Sequence, residues 1–353
     1  MALRPHTRRT ASLTAFLCFC SGTAHSHEPW LLTPDEVKTL SQSSVPDLFR
    51  DPVLLIGFAT ICSVIVFTTV FSGQMIRPWE DRLCAPLHKR SRDWGPLCLR
   101  VGLGLTIGLN ALGGLPRHGT EIWSTPTLFV PDMPLTLTQG WDWLALPALM
   151  ISAFLTLGLA TRIAAMGLLG LVALGSCLFS LDFIAYYGLH FAAPALLLMH
   201  YGGGALSFDR LLSVSIPPLL PNTPTLVWSL AQITIGGTFV IIAILVKFLQ
   251  PTLLIAILKH GDISFLGIPL PMVALIMMAV ELLAGVLLAL GQLVRPISLF
   301  LLFAFTFFAV SLQESPLLHG NLYGVFLFFL LHGGAPLDIR RREPQPLGDI
   351  QTV

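Results

Sequence analysis

One carboxylate stands inside an apolar run long enough to cross a bilayer: Glu281, in residues 280–296, VELLAGVLLALGQLVRP. A charge at the middle of a membrane is disfavoured by roughly 2.5–3.5 kcal/mol, so such a group faces a protein interior or a wet cavity. Its chemistry there is proton exchange, coupled to a redox step or to the movement of a solute. Four further groups belong with it by position. Lys247 closes the preceding outward-running apolar stretch, Asn110 lies in the outer half of its own run, and His190 and His319 sit about one turn from the outer ends of theirs, with Tyr186, Tyr187, Asp182 and Glu314 at the rim. Glu281 and Lys247 are the candidate catalytic pair, and Asn110, His190 and His319 the candidate pocket lining. At 1.5 Å per residue Glu281 lies about 15 Å below the outer surface, deeper than a lysine at position 247 comfortably reaches, so pairing is left open. The competing readings are a carboxyl that bonds neighbouring helices as packing glue, and histidines that cap helix ends.

No metal centre is expected. His25, His27 and Glu28 are adjacent ligand types without others to complete a geometry. The six cysteines contain no C-x-x-C spacing. His190 and His200 are ten residues apart, on neither the same face nor adjacent turns, which disfavours a haem pair. Phosphate loops, nucleophile elbows and zinc motifs are absent.

The elements that must position these groups follow from composition. Of 353 residues 54% are hydrophobic and 11% charged, with a mean hydropathy of +0.78, against about a quarter charged in soluble domains. The chain is an all-α polytopic membrane protein whose first partner is the lipid bilayer. A net charge of +1 and the lack of a basic, aromatic-interleaved stripe exclude nucleic acid.

Residues 1–26 have the three parts of a signal peptide: Arg4, Arg8 and Arg9, an apolar core, then small residues before Ser26. Residues 27–50 form a short polar extracytoplasmic segment. From Pro52 onward, apolar runs of about 17–24 residues alternate with short breaks. Nine transmembrane helices are predicted, near 53–72, 97–115, 142–160, 163–181, 184–202, 226–248, 270–291, 296–313 and 319–333. The first, with a basic cytoplasmic loop, fills residues 51–96. That loop holds Arg77, Arg82, Lys89, Arg90 and Arg92, and Arg162, Arg210, Arg295 and Arg340 fall on the same side. Cations gather in the cytoplasm, so the mature N-terminus is placed outside and the C-terminus inside.

The rest reads as a duplication. Residues 97–212 and 226–340 are two four-helix units joined by a Pro-rich linker at 213–225, with a cytoplasmic tail at 341–353. Gly104 aligns with Gly236, Gly158–Arg162 with Gly291–Arg295, His190 with His319, and Asp209 with Asp338. An even number of spans per unit makes the repeats parallel. Gly104 and Gly108 allow close helix contact, and Trp123, Phe129, Trp141 and Trp143 form an aromatic belt at the first outer loop or a lid over a pocket.

Each unit resembles a DoxX-like (DoxD-like) four-helix membrane domain. The likeness rests on opening helices with a mid-span glycine (LRVGLGLTIGLNALGG and SLAQITIGGTFVIIAILVKFLQP), on VELLAGVLLALGQLVRP, and on glycine-rich exits before Ser-Phe-Asp or Leu-Asp. It covers about two thirds of the chain. Lys247 and Glu281 occur only in the second unit, where the first has Leu115 and Ala148. The resemblance implies a bacterial inner-membrane subunit of a quinone-linked or other oxidoreductase system acting at the extracytoplasmic face, with no covalently bound cofactor, any cofactor being a diffusible quinone or belonging to a partner, and with a periplasmic or membrane protein as partner. Two other classes stay open: a non-enzymatic scaffold or assembly factor using residues 27–50 for contact, and a proton-coupled transporter of a small solute.

Overall fold

The computed structural model describes residues 32, 34–113, 125–131, 133–135, 140–213, 216–219, 224–263 and 267–334. The signal segment 1–26, Trp123, Asp338 and the tail 341–353 lie outside them. The described chain is helical apart from turns and one isolated antiparallel bridge between Thr127 and Pro134. In order the helices are α1 (Pro34–Ser41), α2 (Pro52–Gly113), α3 (Ala145–Leu157), α4 (Thr161–Phe183), α5 (Leu189–Tyr201), α6 (Phe208–Leu211), α7 (Pro224–Ile241), α8 (Pro251–His260), α9 (Leu270–Ala289), α10 (Val294–Ser311) and α11 (Gly320–His332). A π-helical stretch, Ile184–Gly188, joins α4 to α5, and another, Ile242–Phe248, extends α7. An apolar chain in hydrocarbon must satisfy its backbone internally, which selects helices.

Six helices among the described residues are long and apolar enough to cross a membrane: Pro52–Gly73, Arg82–Gly113, Thr161–Phe179, Leu226–Phe248, Leu270–Ala289 and Val294–Ser311. The pattern of apolar runs predicts nine. The runs near 142–160 and 319–333 become the shorter helices Asp142–Leu157 and Pro316–His332, below the roughly 20 residues a 30 Å core requires, and the run at 184–202 is divided by the π-helical turn. Helix α8 occupies an outer stretch expected to be loop.

The basic stretch at 74–96, expected as a loop, is instead the middle of α2, one helical path of 62 residues. A straight helix of that length would run about 93 Å. The contacts forbid it. Phe49, just before α2, has its ring 6.4 Å from Phe248 at one end of α7, while Gly95 packs on His332, whose ring is 5.0 Å from Trp228 at the other end of α7. Those two ends are about 30 Å apart, whereas a straight helix would set residues 49 and 95 about 70 Å apart. The path therefore folds back, with Pro78, Pro86 and Pro96 inside the helix supplying the bends. Likewise α4 and α5 form a hairpin, since Arg162 donates to the carbonyl of His200 at 3.1 Å.

Two turns at the arginine-bearing end share one geometry. Gly158 and Gly291 both have φ +69°, and Ala160 and Leu293 have +46° and +48°. In each, the N–H of the glycine and of the next residue return to the preceding helix (Gly158 to Leu155 and Leu159 to Phe154; Gly291 to Leu288 and Gln292 to Leu287), the glycine-centred helix stop. The arginine that follows reaches the end of a later helix, α5 or α11. Arg162 donates to His200 and Ile216, and Arg295 to Leu330 (3.2 Å) and His332 (3.0 Å).

Close packing depends on small residues. The second arm of α2 packs on α3 and α11, and α7 packs on α9 and α5. Ser152 Oγ donates to the carbonyl of Gly104 at 2.6 Å. A Cβ at Gly236 would strike the backbone of Gly285 and Ala289, whereas one at Gly237 would meet nothing within 4 Å. Gly236→Val should destabilise by about 1–3 kcal/mol and lower the melting temperature in detergent, with Gly237→Ala as the silent control. Equal melting of the two variants would contradict this packing.

Candidate functional site

The α7–α9 contact brings Lys247 and Glu281 together. Lys247 Nζ lies 2.5 Å from Glu281 Oε2, with the two side chains 23% and 14% exposed. The sequence left this pairing open on grounds of depth. Two features close the gap: Gly236 and Gly285 bring the helix backbones into contact one turn from Glu281, and Lys247 sits in the π-helical stretch Ile242–Phe248. Such stretches widen a helix locally and re-aim its side chains. Three residues beyond Lys247, the buried Oε1 of Gln250 has no donor. The end of α7 thus carries a largely buried ion pair, with a buried amide oxygen three residues along the chain from its lysine.

The histidines border an aromatic cluster. His190 is buried, with its ring 5.7 Å from Phe239, and its Nε2 has no hydrogen-bond partner. His319 lies 5.1 Å from the ring of Phe305, and its Nε2 is 3.9 Å from Glu314 Oε2. Phe239, Phe305 and Phe326 link the two positions, with centroid separations of 5.9–6.3 Å. A buried polar nitrogen among phenyl rings is costly unless something bonds it.

Asn110 has a different role from the pocket lining expected of it. Its Nδ2 donates to Thr106, its Oδ1 accepts from Thr127 Oγ1 at 3.0 Å, and its backbone carbonyl accepts the Thr127 N–H. The side chain is consumed in anchoring the loop at Thr127 to α2. Tyr186 and Tyr187, expected on the rim, are buried, as is the Glu314 side chain. The side chain of Asp182 lies outside the described residues.

The sequence reading passed over Arg100, which is 1% exposed. Its Nε donates to Gly203 (2.9 Å), its Nη2 to Ala205 (2.9 Å) and Leu206 (2.7 Å), and its Nη1 to Leu155 and Thr156. Beside it, the Asp209 carboxylate accepts the N–H groups of Ala160 and Thr161 at 2.6 and 2.9 Å, capping α4. This knot fastens the glycine-rich residues 202–206 to α2 and to the end of α3. Near the end of an apolar run, Arg100 resembles an ordinary flanking cation, and only the glycines of residues 200–209 hinted at a partner for it.

Among the described residues no group of three or more His, Cys, Asp or Glu side chains could hold a metal ion, and Cys62, Cys84, Cys98 and Cys177 are free thiols. Comparison with protein-family models, with curated proteins and with solved structures finds no match.

Proposed function

We propose that the chain is a DoxX-like inner-membrane protein, a membrane subunit that supports quinone-linked electron transfer at the extracytoplasmic face, with Glu281 as its proton-exchanging group and Lys247 as the cation that holds it. The observation that carries this reading is the Lys247–Glu281 pair, largely buried between two helices apolar enough to cross a membrane. An ion pair at such depth is expensive and is kept where charge or proton movement is used. The layout that goes with it is nine spans, with the three shorter helices crossing beside the six longer ones, in two parallel four-helix units. The common geometry of the turns at Gly158 and Gly291 supports that duplication. The basic end faces the cytoplasm and the Lys247 end the outside. A diffusible quinone would find an apolar aromatic surface at Phe239, Phe305 and Phe326 and a hydrogen-bonding nitrogen at His190.

The test is Glu281→Gln, with quinone redox state read by extraction from membranes. Quinone-dependent turnover is expected to be lost while protein abundance stays normal. Full turnover in that variant would remove Glu281 from the mechanism. One observation favours a second reading, a non-enzymatic scaffold: the first arm of α2 presents Val53, Ile56, Val64, Phe67 and Phe71 on exposed faces, where a membrane partner could pack.

A further inference from the structure

The middle of α2 carries a feature that the ion pair does not use. Met75, Trp79, Leu83 and Leu87 recur at every fourth position and are 77%, 66%, 79% and 36% exposed, with Trp94 also exposed. A spacing of four makes one stripe along a helix. The side turned to the bundle is different: Gly73 packs on Gln292, Glu80 pairs with Arg295 at 3.3 Å, Ser91 is buried and Gly95 packs on His332. Arg82, Lys89, Arg90 and Arg92 are exposed, and the Arg82 guanidinium stands 5.9 Å over the Trp79 ring. Five cations and three acids (Glu80, Asp81 and Asp93) lie in residues 74–94, and Glu80 and Asp93 face Arg295 and Arg210 from elsewhere in the chain. Cations are therefore left in excess beside the apolar stripe.

We propose that this bend, residues 74–94, lies in the cytoplasmic surface of the bilayer and binds anionic lipid headgroups. The inference rests on the membrane reading above, but not on quinone chemistry. The bend follows the apolar helix Pro52–Gly73 and overlaps the start of Arg82–Gly113, whose 32 residues exceed the roughly 20 a crossing needs, so residues up to Trp94 are held at the level where the two arms leave the hydrocarbon. The stripe sinks into the acyl boundary, the tryptophans take the interfacial depth that their amphipathic rings favour, and Arg82, Lys89, Arg90 and Arg92 meet phosphate. A water-facing stripe of this size would instead be a protein-binding patch.

The experiment places the full-length protein in phosphatidylcholine nanodiscs containing either brominated phosphatidylglycerol or brominated phosphatidylcholine. Fluorescence from Trp79 and Trp94 is isolated by difference from a Trp79→Phe/Trp94→Phe variant. Brominated phosphatidylglycerol should half-quench these two residues at a mole fraction at least about fivefold lower than brominated phosphatidylcholine. Neutralising Arg82, Lys89, Arg90 and Arg92 to glutamine should abolish that preference, with incorporation into discs unchanged. Absence of quenching by either lipid would show that the stripe faces water or a protein and would overturn the proposal. Equal quenching by both would overturn the headgroup selectivity. Failure of the wild-type chain to enter discs would instead strike the membrane reading itself.

Discussion

Arg100→Met is expected to destabilise the protein by at least about 3 kcal/mol, the largest effect anticipated for any single substitution considered. The guanidinium serves five carbonyl oxygens, on Gly203, Leu155, Thr156, Ala205 and Leu206, in a site from which water is excluded. Each buried acceptor left without a donor costs about 1–3 kcal/mol, and methionine fills the space without offering an N–H. Lysine should recover only part of the loss, since one ammonium cannot span carbonyls on both the α3 end and the 203–206 turn. Asp209→Asn keeps an acceptor for only one of the Ala160 and Thr161 N–H groups, sets an NH2 against the other and removes the charge that faces Arg100, so a smaller loss, about 1–2 kcal/mol, is expected. Thermal unfolding in detergent, followed by a thiol-reactive dye on the free cysteines, orders the three variants. A melting temperature for Arg100→Met within error of the parent would show that other groups hold the 203–206 turn in place.

The second large effect concerns the Lys247–Glu281 pair, and its two halves should differ. Lys247→Met leaves a carboxylate between α7 and α9 with its cation gone, and a stranded buried charge costs about 3–5 kcal/mol; 14% exposure of Glu281 puts the expected loss nearer the lower figure. Glu281→Gln leaves an ammonium on a long stem two residues from Leu249, where α7 ends, and the stem can turn toward water at a cost of about 1 kcal/mol. The double variant Lys247→Met/Glu281→Gln should therefore be more stable than Lys247→Met alone. A double-mutant cycle by chemical unfolding measures the coupling. Strict additivity would mean that the pair is a surface contact in energetic terms despite its 2.5 Å separation.

Much of the fold is legible in the sequence because apolar run length and glycine placement act locally. The stops at Gly158 and Gly291 follow from a backbone conformation that glycine adopts without strain, and the arginine after each bonds the last turn of a later helix. The continuity of α2 was not legible. Charges and prolines at residues 74–96 look like a loop, yet a proline removes only one helical hydrogen bond, and the path bends without unwinding. The candidate site was legible in part. Glu281 is conspicuous as a cost, but its partner depends on how closely two helices approach and on a π-helical stretch, and neither leaves a mark in hydropathy. The partner of Asn110 is equally invisible in hydropathy: a residue 17 positions away, Thr127, bonds both its side-chain and its backbone carbonyl.

The seam between the second arm of α2 and α11 also governs the order of assembly. Thr106 Oγ1 bonds the carbonyl of Leu317 and accepts the N–H of Asn321, partners 211 and 215 residues further along, and Gly102 rests against Gly320 and Gly324. At a synthesis rate of about 5–20 residues per second, the ribosome needs about 10–40 s to deliver that partner after Thr106 emerges. For that interval the newborn first half holds an open groove of small residues that nothing in it can fill. A truncated chain stopping near the linker at 213–225 would keep this groove indefinitely, as a substrate for membrane chaperones and quality-control proteases rather than a free-standing domain.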